Sequence, residues 1–346
     1  MINIKSIKYA VELITESGNI YDLTPALIKM DWEESINEMA QRATIVLQQK
    51  KAGGAWLHGL AKINCIIRIK GKWNNAARPD DKQAGMLLFE GTIWDWSYAS
   101  GINKELTLTA YDNLMRLNRS KDFFYYTAGM NTQTLIADIC DEWGIPLSYE
   151  WEHGITHQKK AFRGKKTIAD MIIGLLDEAS EKTGEKYVLY YKGNQLAIKG
   201  YGTNRPVYLL DQSGTVSTNN KLTINNLVTK VKVFGRQDDA GRSQVEAIVE
   251  GDLSFGVLQE IVLRDNNKTL AEAKAEANVI LGNRGSPEEM IKWDGPDLPF
   301  LRKGDKVEIK AGNLLGFFYI EGIMHFGDTR RMTLTLTRGQ TWQAKA

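Results

Sequence analysis

The sequence predicts a mainly β fold with an α+β insert, and three observations carry that expectation. Apolar and polar residues alternate with period two through roughly the first third of the chain and again through the last third. Between them, apolar residues fall at helical spacing. A short order of strand-like segments in the first third also recurs in the last.

The first segment, 1–112, reads as strands at Ala10 to Ile14, Ala43 to Leu47, Ile63 to Ile69, Met86 to Ile93 and Leu106 to Ala110. Turn-forming residues separate them: Ser17-Gly18-Asn19, Gly53-Gly54 and Asn74-Asn75. The stretch from Gly71 to Gly85, with Pro79-Asp80-Asp81, reads as a polar loop. Antiparallel strands in this number, joined by polar loops, point to a small barrel or sandwich. In the second segment, 113–205, Leu135, Ile136, Ile139, Cys140 and Trp143 share one helical face, and Gly144 and Pro146 end that helix. A second helix opens at Thr167 with Asp170 three residues on, the pattern of a capping box. Its apolar stripe is Ile168, Met171, Ile172, Leu175, Leu176 and Ala179, and Gly184 closes it. Tyr187 to Tyr191 and Leu196 to Lys199 follow as a hairpin turned at Gly193-Asn194. The third segment, 206–346, returns to strands at Leu227 to Phe234, Val245 to Val249, Met290 to Trp293, Lys306 to Lys310, Phe317 to Met324 and Arg331 to Thr337. A capping box at Thr269 and Glu272 opens one Ala-rich helix among them.

The recurring order begins with Lys62–Gly71, then Phe89-Glu90-Gly91-Thr92-Ile93 and Leu106-Thr107-Leu108-Thr109. It returns as Lys303–Gly312, then Ile320-Glu321-Gly322-Ile323-Met324 and Leu334-Thr335-Leu336-Thr337. Duplication of one barrel, with the α+β module between the copies, accounts for that order.

Composition narrows the function. Of 346 residues, 25% are charged and 43% apolar, the balance of a folded protein with two or three domains. The 44 basic and 42 acidic side chains leave a net charge of +2, without the basic excess of a phosphate-gripping protein. The densest basic run, Lys159, Lys160, Arg163, Lys165 and Lys166, reads as a solvated loop before a helix rather than as an anion site. Two cysteines, Cys65 and Cys140, suit a reducing compartment and no disulfide framework. Met1 to Ala10 lacks the apolar core of a signal peptide, and no apolar run reaches the roughly 18 residues that span a bilayer.

Catalytic patterns are incomplete. His153 and His157 have an i, i+4 spacing but lack an intervening Glu and a third ligand, so no metal is expected. Arg163-Gly164-Lys165-Lys166-Thr167 resembles the end of a phosphate loop, but Lys159 stands where the first glycine belongs. No nucleophile-elbow motif surrounds a serine. Glu90 and Glu321 invite a glycosidase reading, yet equivalent places in two barrels would hold them far apart, which favours hydrogen bonding at strand ends. The alternation Trp94-Asp95-Trp96 places both rings on one face, as barrel packing or a subunit interface requires. No catalytic residue, metal or cofactor is therefore expected.

The ordered set of motifs resembles the central baseplate hub of contractile phage tails, especially the form in defective prophages and phage-tail-like bacteriocins of Gram-positive bacteria. Ile28 to Trp32 with Ala43 to Val46 looks like that family's first hairpin. Leu88-Phe89-Glu90-Gly91, then a strand and Ala110-Tyr111-Asp112-Asn113-Leu114-Met115-Arg116-Leu117, resembles its signature. Leu301 to Lys306, Tyr319 to Gly322 and His325 resemble its last barrel. The resemblance implies two tandem tube-like β-barrel domains flanking the small α+β module. It also implies a structural role without enzymatic activity, in a homotrimer seated between a sixfold tail tube protein and a threefold central spike protein, with other baseplate and tape-measure proteins nearby. The place would be a virion or tail-like particle, assembled in the host cytoplasm, with neither membrane nor specific nucleic acid as partner. Tyr111 and Asp112 then form a joint: Asp112 accepts backbone N–H bonds at the start of a helical turn and Tyr111 packs against the barrel end. Glu90, Gly91, Glu321 and Gly322 are the repeated structural positions. A tail-associated cell-wall hydrolase, or a carbohydrate or single-stranded nucleic-acid binding module, are the competing readings.

Overall fold

A computed structural model describes residues 7–72, 85–102, 104–237, 241–264 and 268–338. The amino-terminal residues 1–6 and the centre of the polar loop, 73–84, lie outside them. Half of the described residues are in strands (50%) and 18% are in helices, so the fold is mainly β, as the period-two pattern predicts.

The chain forms two compact units, Met1–Thr218 with Lys292–Ala346, and Asn219–Ile291. In the larger unit one sheet runs through strands from both ends of the chain. From Arg331–Arg338 its order passes to Leu314–Phe326, Leu27–Ser35, Arg42–Gln48, Glu105–Tyr111, Met86–Ala99, Ile66–Lys72, Lys8–Ile14 and Ile20–Asp22. The link between the first and last segments is the antiparallel pairing of Asp31–Ser35 with Gly322–Phe326. The pairing closes no ring among the described residues.

Alternation decides which face is core. In Arg42–Gln48, Ala43, Ile45 and Leu47 are fully buried, and in Glu105–Tyr111 so are Leu106, Leu108 and Ala110. These strands pair directly, Ile45 with Leu108 and Ala43 with Ala110, so both core faces point the same way. Val11, Leu13, Ile67, Ile69, Phe89 and Ile93 complete that core, each side chain contributing about 1.5–3 kcal/mol on burial.

The insert has its own core. Helix Thr132–Glu142 starts at Asn131, whose side chain accepts the Thr134 N–H, and buries Leu135, Ile136, Ile139 and Cys140. Helix Ile168–Thr183 starts with the capping box of Thr167 and Asp170 and ends at Gly184 in the left-handed conformation. Both pack with a three-stranded sheet of Leu147–Tyr149, Gln195–Gly200 and Tyr187–Lys192. The basic run expected to be a loop is instead a strand. Lys160–Thr167 pairs antiparallel with Lys121–Tyr126, because Phe162, Phe124 and Tyr126 alternate onto the insert core. Gly164, at φ 65°, absorbs the irregular register there.

In the second unit, Lys230–Gln237 pairs antiparallel with Ser243–Glu250 and parallel with Gln259–Leu263. Helix Leu270–Arg284 lays Ala273 and Ala277 on Val231, Val233 and Val262, the close approach that alanines permit.

Both recurring segments form three-strand antiparallel runs, Ile66–Lys72 to Met86–Ala99 to Glu105–Tyr111 and Lys306–Ala311 to Leu314–Phe326 to Arg331–Arg338. Their registers differ. Gly322 pairs with Thr335, inside the Leu-Thr-Leu-Thr segment. Gly91 pairs with Ile67 on the other neighbour, and the partners of Leu106–Thr109 are Asp95–Tyr98. The order of strands repeats, while the two Glu-Gly pairs occupy different places. A bulge after Ile93 also interrupts the alternation expected of Trp94 and Trp96. Trp94 stands edge-on to Tyr111, and Trp96 is exposed beside Tyr98.

Candidate functional site

The densest set of buried charged groups lies where the three sequence segments meet in the larger unit. Strand Leu27–Ser35 delivers Glu34, Asp112 follows strand Glu105–Tyr111, and the turn Leu301 to Asp305 supplies Arg302 and Lys303. Glu34, Asp112 and Lys303 are all buried.

Asp112 closes the joint locally. Its N–H donates to the Gln41 carbonyl at 3.1 Å, and its Oδ2 accepts the Gln41 N–H at 2.9 Å. Its Oδ1 accepts the Leu114 N–H at 2.9 Å, at the start of the short helix Met115–Arg119. Burial pushes the Asp112 carboxyl up to about 7, against the lowering effect of those two N–H groups and of Lys303 and Arg302.

Glu34 receives a two-pronged bond from Arg302, Nε to Oε1 at 2.7 Å and a terminal nitrogen to Oε2 at 2.8 Å. The Lys303 N–H adds a third at 2.9 Å. Burial alone would raise the Glu34 carboxyl, but the charge of Arg302 and these bonds hold it below the usual carboxylate range. Lys303 points its ammonium at the carbonyls of Ser35, Glu38 and Met39, a cap over the end of a strand. Burial brings that ammonium down to about 8.

The insert grips the same turn. Lys199 pairs with Asp305 at 2.9 Å, and Asp305 accepts the Arg302 N–H at 2.9 Å. The Tyr190 ring lies beneath both the Arg302 guanidinium and the Lys199 ammonium, at 4.9 and 5.0 Å from its centroid. Gly304 sits at φ 79°, with Val188 where a Cβ would go. One turn is thus bonded to the first segment through Glu34 and to the insert through Lys199, Tyr190 and Val188.

All six residues singled out in the sequence lie around this joint. The Gly91 backbone abuts the Tyr111 carbonyl, where a Cβ would fall 2.4 Å from the oxygen. Burial, with the nearby carboxylates of Asp112 and Glu90, raises the Tyr191 hydroxyl to about 12. Glu90 itself is ion-paired across the sheet with Arg68. Glu321 is the extra residue of a bulge, and its carbonyl accepts the Ile36 N–H at 2.7 Å. Gly322 pairs with Ser35, next to Glu34. Sequence reasoning missed Glu34, Arg302 and Lys303 as a unit, because 268 positions separate Glu34 from Arg302. The only local signal was two adjacent cations in a Gly-Asp turn.

His153 is exposed, while His157 and His325 are buried in hydrogen-bonded networks. His157 is buried between Thr132 at 2.9 Å and Glu178 at 3.0 Å. Among the described residues no group of His, Cys, Asp and Glu could hold a metal ion. His325 meets Asp297 at 2.6 Å and stacks on Trp32 at 4.5 Å, while the Tyr9 hydroxyl donates to the other Asp297 oxygen. Sealed at 1% and 0% exposure, His325 and Asp297 offer no reacting atom to a substrate. A cavity of about 310 Å³ lies elsewhere, against Tyr21, Lys50 and Leu57. No helix among the described residues is long and apolar enough to cross a membrane.

The 43 kDa tail protein of prophage MuSo2 from Shewanella oneidensis has a similar fold, with a TM-score of 0.69 at 14% identity over 96% of this chain and 98% of that one. A tail protein from Neisseria meningitidis MC58 gives 0.67 at 13% over 96% and 98%. The prophage tail protein gp18 from Listeria monocytogenes EGD-e gives 0.53 at 13% over 94% of each chain. No curated protein sequence matches. A family model described as YQBQ-like matches residues 76–337. That span takes in the insert, the Arg302–Lys303 turn and part of the sheet, and the chain belongs to the YQBQ-like family, with a fold shared by prophage tail proteins.

Proposed function

We propose that this protein is a structural hub of a contractile phage tail or tail-like particle, a homotrimer between the tail tube protein and the central spike protein, without catalytic activity. The observation that carries the reading is a fold likeness to two tail proteins that covers nearly the whole of each chain. In this reading segments 1–112 and 206–346 each supply a tube-like unit. Three chains then offer six similar contacts to a sixfold tube, and the insert repeats three times toward the spike. The joint at Glu34, Asp112 and Arg302 would hold strands from the two ends of the chain together, within the larger unit, while the tail transmits force. Near-neutral charge suits an axial channel through which DNA passes without being held.

Electron microscopy of the purified chain mixed with tube protein tests this. A threefold ring capping the tube end supports the hub. A monomer or dimer beside the tube, or dose-dependent clearing of peptidoglycan that is lost in Glu90→Gln or Glu321→Gln, contradicts it.

A further inference from the structure

The ribbon formed by Lys121–Tyr126 and Lys160–Thr167 has one face in the insert core and one in solvent. On the inward face Phe124, Tyr126 and Phe162 pack on the helices, and Lys160 is paired with Glu178. On the outward face Phe123 is 75% exposed and Tyr125 62%, unusual values for aromatic rings two residues apart on a strand. Phe123 lies over Gly164, where a Cβ would come within 3.0 Å of the ring, and Lys159 stands 5.1 Å from the centre of the Tyr125 ring. Arg163 is paired in register with Phe123, and Arg163 and Lys165 are both exposed. Lys159, Arg163 and Lys165 enter no ion pair among the described residues. The one carboxylate of the two strands, Asp122, is half-buried and accepts the Phe123 N–H at 2.8 Å.

The ribbon has only two strands, so each has an outer edge that pairs with no other strand among the described residues. The helices Met115–Arg119 and Ile168–Thr183 lie against the Lys160–Thr167 strand. An open edge can take a third strand through backbone N–H and C=O groups. A polypeptide can supply that ladder, whereas a polynucleotide or polysaccharide cannot. The cations select its charge, and the two rings offer apolar contact to alternate side chains.

We propose that this ribbon captures an extended acidic segment of another protein by strand addition along Lys121–Tyr126, with carboxylates meeting Arg163 and Lys165 and apolar side chains on Phe123 and Tyr125. The surface is distinct from the joint and does not depend on the trimeric hub reading.

The test uses the full chain and a short fluorescein-labelled peptide alternating Glu with Thr and Val. Anisotropy should show binding that weakens with added salt, while a Lys-for-Glu peptide of the same pattern stays free. Arg163→Glu combined with Lys165→Glu should weaken binding about tenfold, the size expected from reversing two exposed charges. Phe123→Ser with Tyr125→Ser should also weaken it, with melting curves showing that the variants fold. In the wild type, peptide should slow hydrogen exchange of the amides in Lys121–Tyr126. Absence of peptide binding, unchanged affinity in the folded variants, unprotected ribbon amides, or binding of oligothymidylate in place of the acidic peptide would each overturn the proposal.

Discussion

A Cβ on Gly91 would fall 2.4 Å from the Tyr111 carbonyl oxygen and 2.5 Å from Phe89 Cζ, and the first of these is backbone that cannot swing aside. At Gly322 the nearest atom would be Thr335 Cβ at 3.6 Å, an ordinary contact. Gly91→Ala is therefore expected to destabilise the protein by about 1–3 kcal/mol and Gly322→Ala by less than about 1 kcal/mol, as read from urea unfolding. Equal effects would show that the two glycines do the same work after all. Asp112 makes a second prediction. Its folded pKa of about 7 lies above the ordinary carboxyl value of 3.8, so the folded chain holds a proton there that the unfolded chain releases. Its contribution is complete below pH 3.8 and is lost as pH rises through 7. Between pH 5.5 and 7.5 it should cost about 2 kcal/mol, and Asp112→Asn should flatten that part of the stability profile. Lys303, brought down to about 8, acts mainly above this window, where stability rises with pH. A wild-type profile that climbs from pH 5.5 to 7.5 and keeps its slope in the variant would refute the assignment.

Elements were legible wherever a period ran long enough. The stripes in Ile168–Thr183 and Thr132–Glu142 and the alternation in Arg42–Gln48 announce themselves, since each buried face is fixed by local spacing. Lys160–Thr167 did not, because Arg163, Gly164, Lys165 and Lys166 look like loop and only Phe162 faces the core. Ser217–Thr223 was missed for a similar reason, being almost wholly polar. The joint between elements was hidden more deeply, since nothing near Glu34 names Arg302 as its partner. Arg302→Ala leaves Glu34 buried without its two-pronged partner, a loss on the order of 3–5 kcal/mol in unfolding free energy. Arg302→Ala combined with Glu34→Gln should recover part of it. If the single variant unfolds like the wild type, the ion pair does not hold the first and last segments together.

At the scale of the molecule, the sequence spoke of two barrels in series, and the structure joins strands from both ends of the chain in one sheet through Asp31–Ser35 and Gly322–Phe326. That union could not be read locally, because the hydrophobic pattern of a strand states which face is buried and not which strand is its neighbour. The mainly β class and the α+β insert were legible, since both follow from spacing alone. The sequence resemblance agrees with the fold shared with prophage tail proteins, but fold by itself carries no symmetry and no partner. A lone chain can remain monomeric while tube and spike close the ring by mass action, so solution mass is the weaker test. The direct measurement is the copy number of this chain in an intact particle, by quantitative mass spectrometry against the tube protein and by the symmetry of the baseplate in electron microscopy. The hub reading predicts three copies per tail in a threefold ring. Six copies per tail, or a dimer that persists in the particle, would contradict it.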